Sequence, residues 1–317
     1  MLEHDTPHAA ATPATTERPG SLPGDAGPPG WFVRNVAAPA ETLDVVMADG
    51  RRIDGRAWGE RGRPGLLFVH GNSAHLGWWS FLAPFFADRF RVVAFSLGGM
   101  GRSDWRQSYS AASFAEEMWA VADAAGIGEP GAPPTIVAHS MGGLPLIHSA
   151  ARLDRPIRGA ILVDVGLPGI EDIMIPPYGG HRLYPSQDAA VQRFRLSPPQ
   201  PCENRWILEH LARDAVRPVT GPDGTTGWSW RFDPKLWGGV ADSDIWSELA
   251  DVRCPVALVR GEKSPLMGAR MMKAMCDALP GSVPVIAIRD AFHHVMIDQP
   301  VATTAALDAL LAVWPDR

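Results

Sequence analysis

The chain of 317 residues is 46% hydrophobic and 20% charged, with a formal net charge of −6. That is the make-up of an ordinary globular protein, and its acidity argues against a nucleic-acid partner, which needs clustered lysine and arginine. No uninterrupted apolar run of about 18 residues occurs, so neither a membrane-spanning helix nor a membrane partner is expected.

The first 30 residues, MLEHDTPHAAATPATTERPGSLPGDAGPPG, lack the basic start and apolar stretch of a secretory leader. Rich in Pro, Ala, Thr and Gly, they have little to bury, and a disordered tail over 1–30 is expected. From residue 42, TLDVVMA and RIDGRAW flank a DGR turn and predict an antiparallel hairpin. Short continuous apolar runs follow: GLLFVHG (65–71), RVVAFS (91–96), TIVAHS (135–140), GAILVDV (159–165), PVALVRG (255–261) and VPVIAI (283–288). Runs without two-residue alternation suit strands buried on both faces of a parallel sheet.

Segments with helical spacing lie between these runs at 110–126, 141–153, 268–281 and 301–314. The alternation predicts βαβ units in a doubly wound α/β sheet. Residues 167–250 break the rhythm with many Pro and Trp residues and no clear parallel strand. They are expected to form an inserted, mainly helical cap subdomain, with the core assembled from 31–166 and 251–317. Cys202, Cys254 and Cys276 form no CxxC pair, so neither a disulfide framework nor a zinc site is indicated. Small buried thiols and a cytoplasmic location are the expectation.

The chemistry concentrates in three places. In TIVAHSMGG, a strand runs into Ala138-His139-Ser140-Met141-Gly142 and a helix leaves it. Small residues two positions either side of Ser140 permit a sharp strand-to-helix turn that lifts the hydroxyl above the sheet edge. The plainer reading is a serine N-cap. After the last predicted strand comes AFHHVMIDQP (291–300), and after GLLFV comes His70-Gly71-Asn72.

On these residues the chain, over about 42–315, resembles the α/β-hydrolase family. The resemblance implies a mostly parallel sheet flanked by helices, Ser140 as nucleophile on its elbow, and an oxyanion hole from the Asn72 and Met141 amides. The family's base is a histidine seven residues before a proline with an acid between, a pattern met by His293, Asp298 and Pro300; His294 is the adjacent rival. His70 and His139 are expected to be supports. In SLGGMGRSD (96–104), Ser96 stands where the family usually has Asp, which puts a local hydrogen bond in doubt.

The acid is less plain. Most relatives carry it after the strand corresponding to PVALVRG, as Gly-x-x-Asp, and here that slot holds Ser264. Glu262 is nearby but two residues early. Asp164, at the end of GAILVDV, matches the strand end used by some members, certain haloalkane dehalogenases among them. Asp164 is preferred and Glu262 kept as the alternative.

The resemblance implies a cofactor-independent serine hydrolase acting on a small-molecule carboxylic ester. The rim segment HGNSAHLGWWSF (70–81) adds His75, Trp78 and Trp79 as candidate substrate contacts. Trp206, Trp228, Trp230, Trp237 and Trp246 in the insertion suggest an aromatic wall favouring an apolar or aromatic group. Each of these tryptophans has packing of cap on core as its plainer role. No metal is expected, because His293 and His294 have no third ligand at a suitable linear spacing. Two other classes stay open: a carbon–carbon bond hydrolase or lyase, and a non-catalytic ligand-binding protein of the same fold. A homodimer is also left open.

Overall fold

A computed structural model describes residues 27–129, 131–152, 155–170, 182–221, 223–238 and 244–314. Most of the expected tail, residues 1–26, lies outside them. The described chain begins with a short helix, α1 (Gly30–Val36), whose Phe32 is buried.

The hairpin follows as β1 (Glu41–Val46) and β2 (Arg52–Trp58), paired antiparallel from Glu41↔Ala57 to Val46↔Arg52. β1 alternates buried and exposed residues towards its end, as an edge strand with one solvated face should. The apolar runs become β3 (Gly65–Val69), β4 (Arg91–Phe95), β5 (Thr135–His139) and β6 (Gly159–Val163), every residue buried.

Alternate residues of these strands serve opposite faces. Leu67 and Val69 of β3 join the core cluster on one side and Leu66 and Phe68 that on the other. A helix on each face therefore removes the polar alternation that a one-sided sheet would show. On the first face pack α3 (Ala111–Ala125) and α4 (Gly143–Arg152). Helix α3 starts at a Ser110–Ser113 capping box and ends at Gly126 with φ 72°, a left-handed conformation that glycine adopts without penalty. On the opposite face lies α2 (Gly77–Ser80), just after β3 in the chain.

Between β6 and the next core strand the chain forms α5 (Gln187–Val191) and α6 (Arg205–Asp214), a hairpin of β7 (Val216–Thr220) and β8 (Thr226–Trp230), and α7 (Ile245–Ala250). The described insertion is mainly helical, as expected, but it also holds this hairpin, which was not anticipated from sequence. Its signal was present in the sequence: Gly221 and Gly224 lie in a short turn between two β-prone runs. Trp230 packs with Ala190 and Val216 in a small separate core.

The sheet is completed by β9 (Val256–Gly261) and β10 (Val285–Ile288), separated by α8 (Ala269–Ala278), and the chain closes with α9 (Val295–Asp298) and α10 (Pro300–Val313). The eight-stranded order is β1-β2-β4-β3-β5-β6-β9-β10, antiparallel at β1–β2 and β2–β4 and parallel elsewhere. The chain winds from β3 out to β4, then returns to place β5 on β3's other side. The order therefore reverses at β3 and β5, and a crevice opens beyond their carboxyl ends, where ligands of open α/β sheets bind. No helix among the described residues is long and apolar enough to cross a membrane.

Candidate active site

The ends of β3, β5 and β6 and the loop after β10 converge at that crevice. Ser140 follows β5 with φ 52°, in the left-handed region. Strain of this kind persists only where the surroundings impose it, and here the packing is tight. A Cβ on Gly142 would lie 2.5 Å from the His70 carbonyl oxygen, and one on Gly71 would lie 3.0 Å from the Ser140 Cβ. Small residues at both places are what allow the turn to pass so close to the end of β3.

His293, 1% exposed, sits between β10 and α9. Its Nε2 is 3.0 Å from the Ser140 Oγ, and its Nδ1 is 2.8 Å from Oδ1 of Asp164. A carboxylate oxygen accepts, so the proton is on Nδ1 and the Nε2 lone pair faces the serine hydroxyl.

Asp164 ends β6, fully buried and also left-handed at φ 49°. Its Oδ2 accepts from the Gly261 amide at 2.7 Å, and its Oδ1 also accepts from the Ser264 hydroxyl at 2.5 Å. The Leu266 and Met267 amides point at the Ser264 Oγ, at 3.2 and 3.3 Å, which leaves its hydrogen for Asp164. Glu262 is exposed, and its Oε2 accepts from the Asp290 amide at 3.2 Å, away from His293. Of the two candidate acids, Asp164 is the one in contact with the histidine. The backbone leaves little latitude around it, because a Cβ on Gly261 would collide with the Phe292 carbonyl.

His70 ties the loops together. Its Nδ1–H donates to the Gly71 carbonyl at 2.7 Å and its Nε2 accepts from the Leu97 amide at 3.0 Å. Burial pushes its pKa down to about 3. Ser96 keeps a local hydrogen bond despite replacing Asp: its Oγ accepts from the Leu76 amide at 3.1 Å.

Beside Ser140 is a recess of about 30 Å³ lined by Gly71, Asn72, Trp78, His139, Ser197, Leu266, His293 and His294, among others. It has room for only about two water molecules. Asn72 thus sits against Ser140, and Met141 follows it on the first turn towards α4. Of the expected substrate contacts, Trp78 reaches this recess. Trp79 does not: fully buried, it stacks on Phe68 at 4.7 Å, because α2 turns successive side chains about 100° apart. His75 also lies elsewhere, accepting from the Gly77 amide at 3.1 Å and donating to the Leu211 carbonyl at 3.1 Å. Its role is to fasten the rim to α6.

Trp206, Trp228, Trp230 and Trp246 of the insertion are likewise engaged away from the recess. Trp206 meets Phe32 of α1 edge-on at 4.5 Å, Trp228 and Trp230 belong to the hairpin, and Trp246 donates to the Pro168 carbonyl at 2.8 Å. The side chain of Trp237 lies outside the described residues.

The fold brings His139, from the end of β5, against His293 and His294, a third imidazole that linear spacing did not offer. One ring nitrogen of each lies within 4.8 Å of the others. Burial, with His293 close by, holds the pKa of both His139 and His294 well below the usual imidazole range. Both rings are therefore neutral. Behind them, Gln200 donates to both Asp298 carboxylate oxygens (2.8 and 2.9 Å) and accepts from the His294 amide at 3.1 Å. Burial pushes the Asp298 pKa up to about 6. From sequence, Ser264 was noted only as the occupant of the usual acid slot, and the Gly261 amide and Gln200 were given no part. Only Ser264 carried a local signal, by standing in the slot where an aspartate is usual.

The model of the alpha/beta hydrolase family matches residues 66–307. A 2-(acetamidomethylene)succinate hydrolase of Mesorhizobium japonicum is 24% identical over 249 residues, 77% of this chain and 86% of that protein. A 3-oxoadipate enol-lactonase of Acinetobacter baylyi is 20% identical over 273 residues, 84% and 96% respectively. Among solved structures, an esterase of Mycobacterium tuberculosis superposes with a TM-score of 0.68 at 21% identity, over 94% of this chain and 100% of that one. The fold, and a family match extending over most of the chain, establish that the chain belongs to the α/β-hydrolase family.

Proposed function

We propose that the protein is a cofactor-independent serine hydrolase that cleaves a small-molecule carboxylic ester through an acyl-enzyme. One observation carries the reading: the unbroken hydrogen-bond path from Asp164 through His293 to Ser140, at 2.8 and 3.0 Å. As the Ser140 Oγ attacks the ester carbonyl carbon, its proton passes to His293 Nε2. Asp164 stabilises the imidazolium and fixes its orientation. The Asn72 and Met141 amides hold the negative charge that develops on the carbonyl oxygen. His293 then returns the proton to the departing alkoxide, and the ester's acyl group stays on Ser140. Water, deprotonated by the same histidine, releases the acid and restores the serine.

The relatives support hydrolysis as the reaction class, and the enol-lactonase acts on what its name describes as an internal ester. Trp78, Pro198, Leu266 and Ala74 give the recess an apolar side, which favours an apolar or aromatic substrate group. The cytoplasm suits three cysteines that are all unpaired.

Hydrolysis of p-nitrophenyl esters from acetate to decanoate, measured for wild type beside Ser140→Ala, tests this. The expected result is turnover by wild type and a loss of at least about 10⁴-fold in the variant. Equal rates for the two proteins would refute the esterase reading.

A further inference from the structure

We infer that His139, His293 and His294 form a binding site for one transition-metal dication of the zinc or copper class, and that its occupation switches the hydrolase off. The three rings come from two separate parts of the chain and all are buried, each no more than 3% exposed. One nitrogen of each lies within 4.8 Å of the others, around the small recess beside Ser140.

The hydrogen bonds fix which nitrogens have lone pairs to give. His139 Nε2 is 3.1 Å from the His293 carbonyl oxygen, which can only accept, so the proton is there and Nδ1 keeps the lone pair. That Nδ1 is buried and has no hydrogen-bond partner among the described residues. His293 donates through Nδ1 to Asp164, leaving Nε2 as the ligand atom. The His294 ring is buried, and the Ser197 backbone beside it can engage one ring nitrogen and leave the other for an ion. An unpaired buried nitrogen is costly, and His139 presents one beside the Nε2 of His293, whose lone pair faces the same recess.

The supporting bonds are of the kind that metal-binding histidines make: one ring N–H given to a carbonyl or carboxylate, the other nitrogen presented to the ion. Imidazole nitrogen suits zinc, copper and nickel rather than magnesium or calcium. Tetrahedral zinc bound at about 2.0–2.1 Å needs ligand nitrogens about 3.3 Å apart, so the rings must draw together by up to about 1.5 Å. His139 and His293 are tied by bonds to the His293 carbonyl and to Asp164, so most of the movement falls to His294. The fourth position falls towards the Ser140 Oγ. An ion there takes the His293 lone pair that would otherwise receive the serine proton, and the nucleophile loses its base.

The inhibitory consequence rests on the hydrolase reading; the site itself does not. Zn²⁺ titrated by calorimetry into Ser140→Ala, which has no activity to confuse the reading, should show one strong site per chain. The double variants carrying His294→Gln or His139→Gln as well, first confirmed folded by thermal unfolding, should bind at least about tenfold more weakly. No uptake by Ser140→Ala, or unchanged affinity in either folded double variant, would overturn the site. On the wild type, the Zn²⁺ concentration that fills the site should abolish ester turnover, and EDTA should restore it. Full occupancy with undiminished turnover would overturn the switch while leaving the hydrolase reading intact.

Discussion

Asp164 receives three hydrogen bonds, from His293, Ser264 and the Gly261 amide. Ser264 and Gly261 flank Glu262, the alternative acid, so that segment supports Asp164 while its own carboxylate turns towards Asp290. The roles separate experimentally. Asp164→Asn should lower kcat by about 10⁴-fold, as loss of the orienting carboxylate does in other serine hydrolases. Ser264→Ala removes one bond to a charged group and should cost about 10- to 100-fold. Glu262→Gln should change the rate less than about twofold, because its side chain is exposed and turned towards Asp290. Steady-state rates on one ester decide among them, and a Glu262→Gln loss matching that of Asp164→Asn would reverse the assignment. At this scale Ser140 and His293 were legible because each lies in a short pattern with its own steric logic. The preference for Asp164 over Glu262 came from the resemblance alone, since it turns on which strand end faces His293 across the sheet.

The elements explain what else could be read. Continuous apolar runs announce strands such as β3 and β5 because helices cover both faces, and the Ser110 and Gly126 caps mark α3 within a residue. Short irregular elements obey no such period. α2 is only four residues long, and its direction decides that Trp78 lines the recess while Trp79 is driven against Phe68. His75 lies just before that helix and is held by Leu211 from the insertion, a partner 136 residues away. Nearness in sequence to the loop after β3 therefore overstated the role of His75 and Trp79. The β7–β8 hairpin had local turn chemistry but was obscured by the proline and tryptophan content around it. The insertion is fastened to the core by polar contacts: Asn204 donates to the Ile297 carbonyl at 2.7 Å, and the Asp233 amide to the Gly99 carbonyl at 2.7 Å.

Over the whole molecule, burial holds His70, His75, His139, His210 and His294 below the usual imidazole pKa. Unfolding frees each to take a proton near pH 6.5, which the folded state refuses. Their contribution to stability is therefore complete above about pH 6.5 and is lost as the pH falls. Asp298 acts in the opposite sense: its folded pKa, about 6, is above the unfolded value, so its contribution is present at low pH and lost as pH rises through 6. Burial raises the pKa of Asp54 and Glu117 in the same sense, and the five imidazoles outnumber these three carboxylates. The thermal midpoint should drop by at least about 5 °C between about pH 7.5 and 5.5. A midpoint that is flat or rises on acidification would show that these histidines are not held neutral.

The central claim, that Ser140 is activated by His293 and Asp164 and becomes acylated, is tested most directly by intact-mass spectrometry after treatment with a fluorophosphonate. Wild type should gain one covalent adduct, mapped by peptide mass to Ser140, and Asp164→Asn should gain it far more slowly. An unmodified wild type, an adduct at another residue, or equal labelling rates in the two proteins would contradict the account.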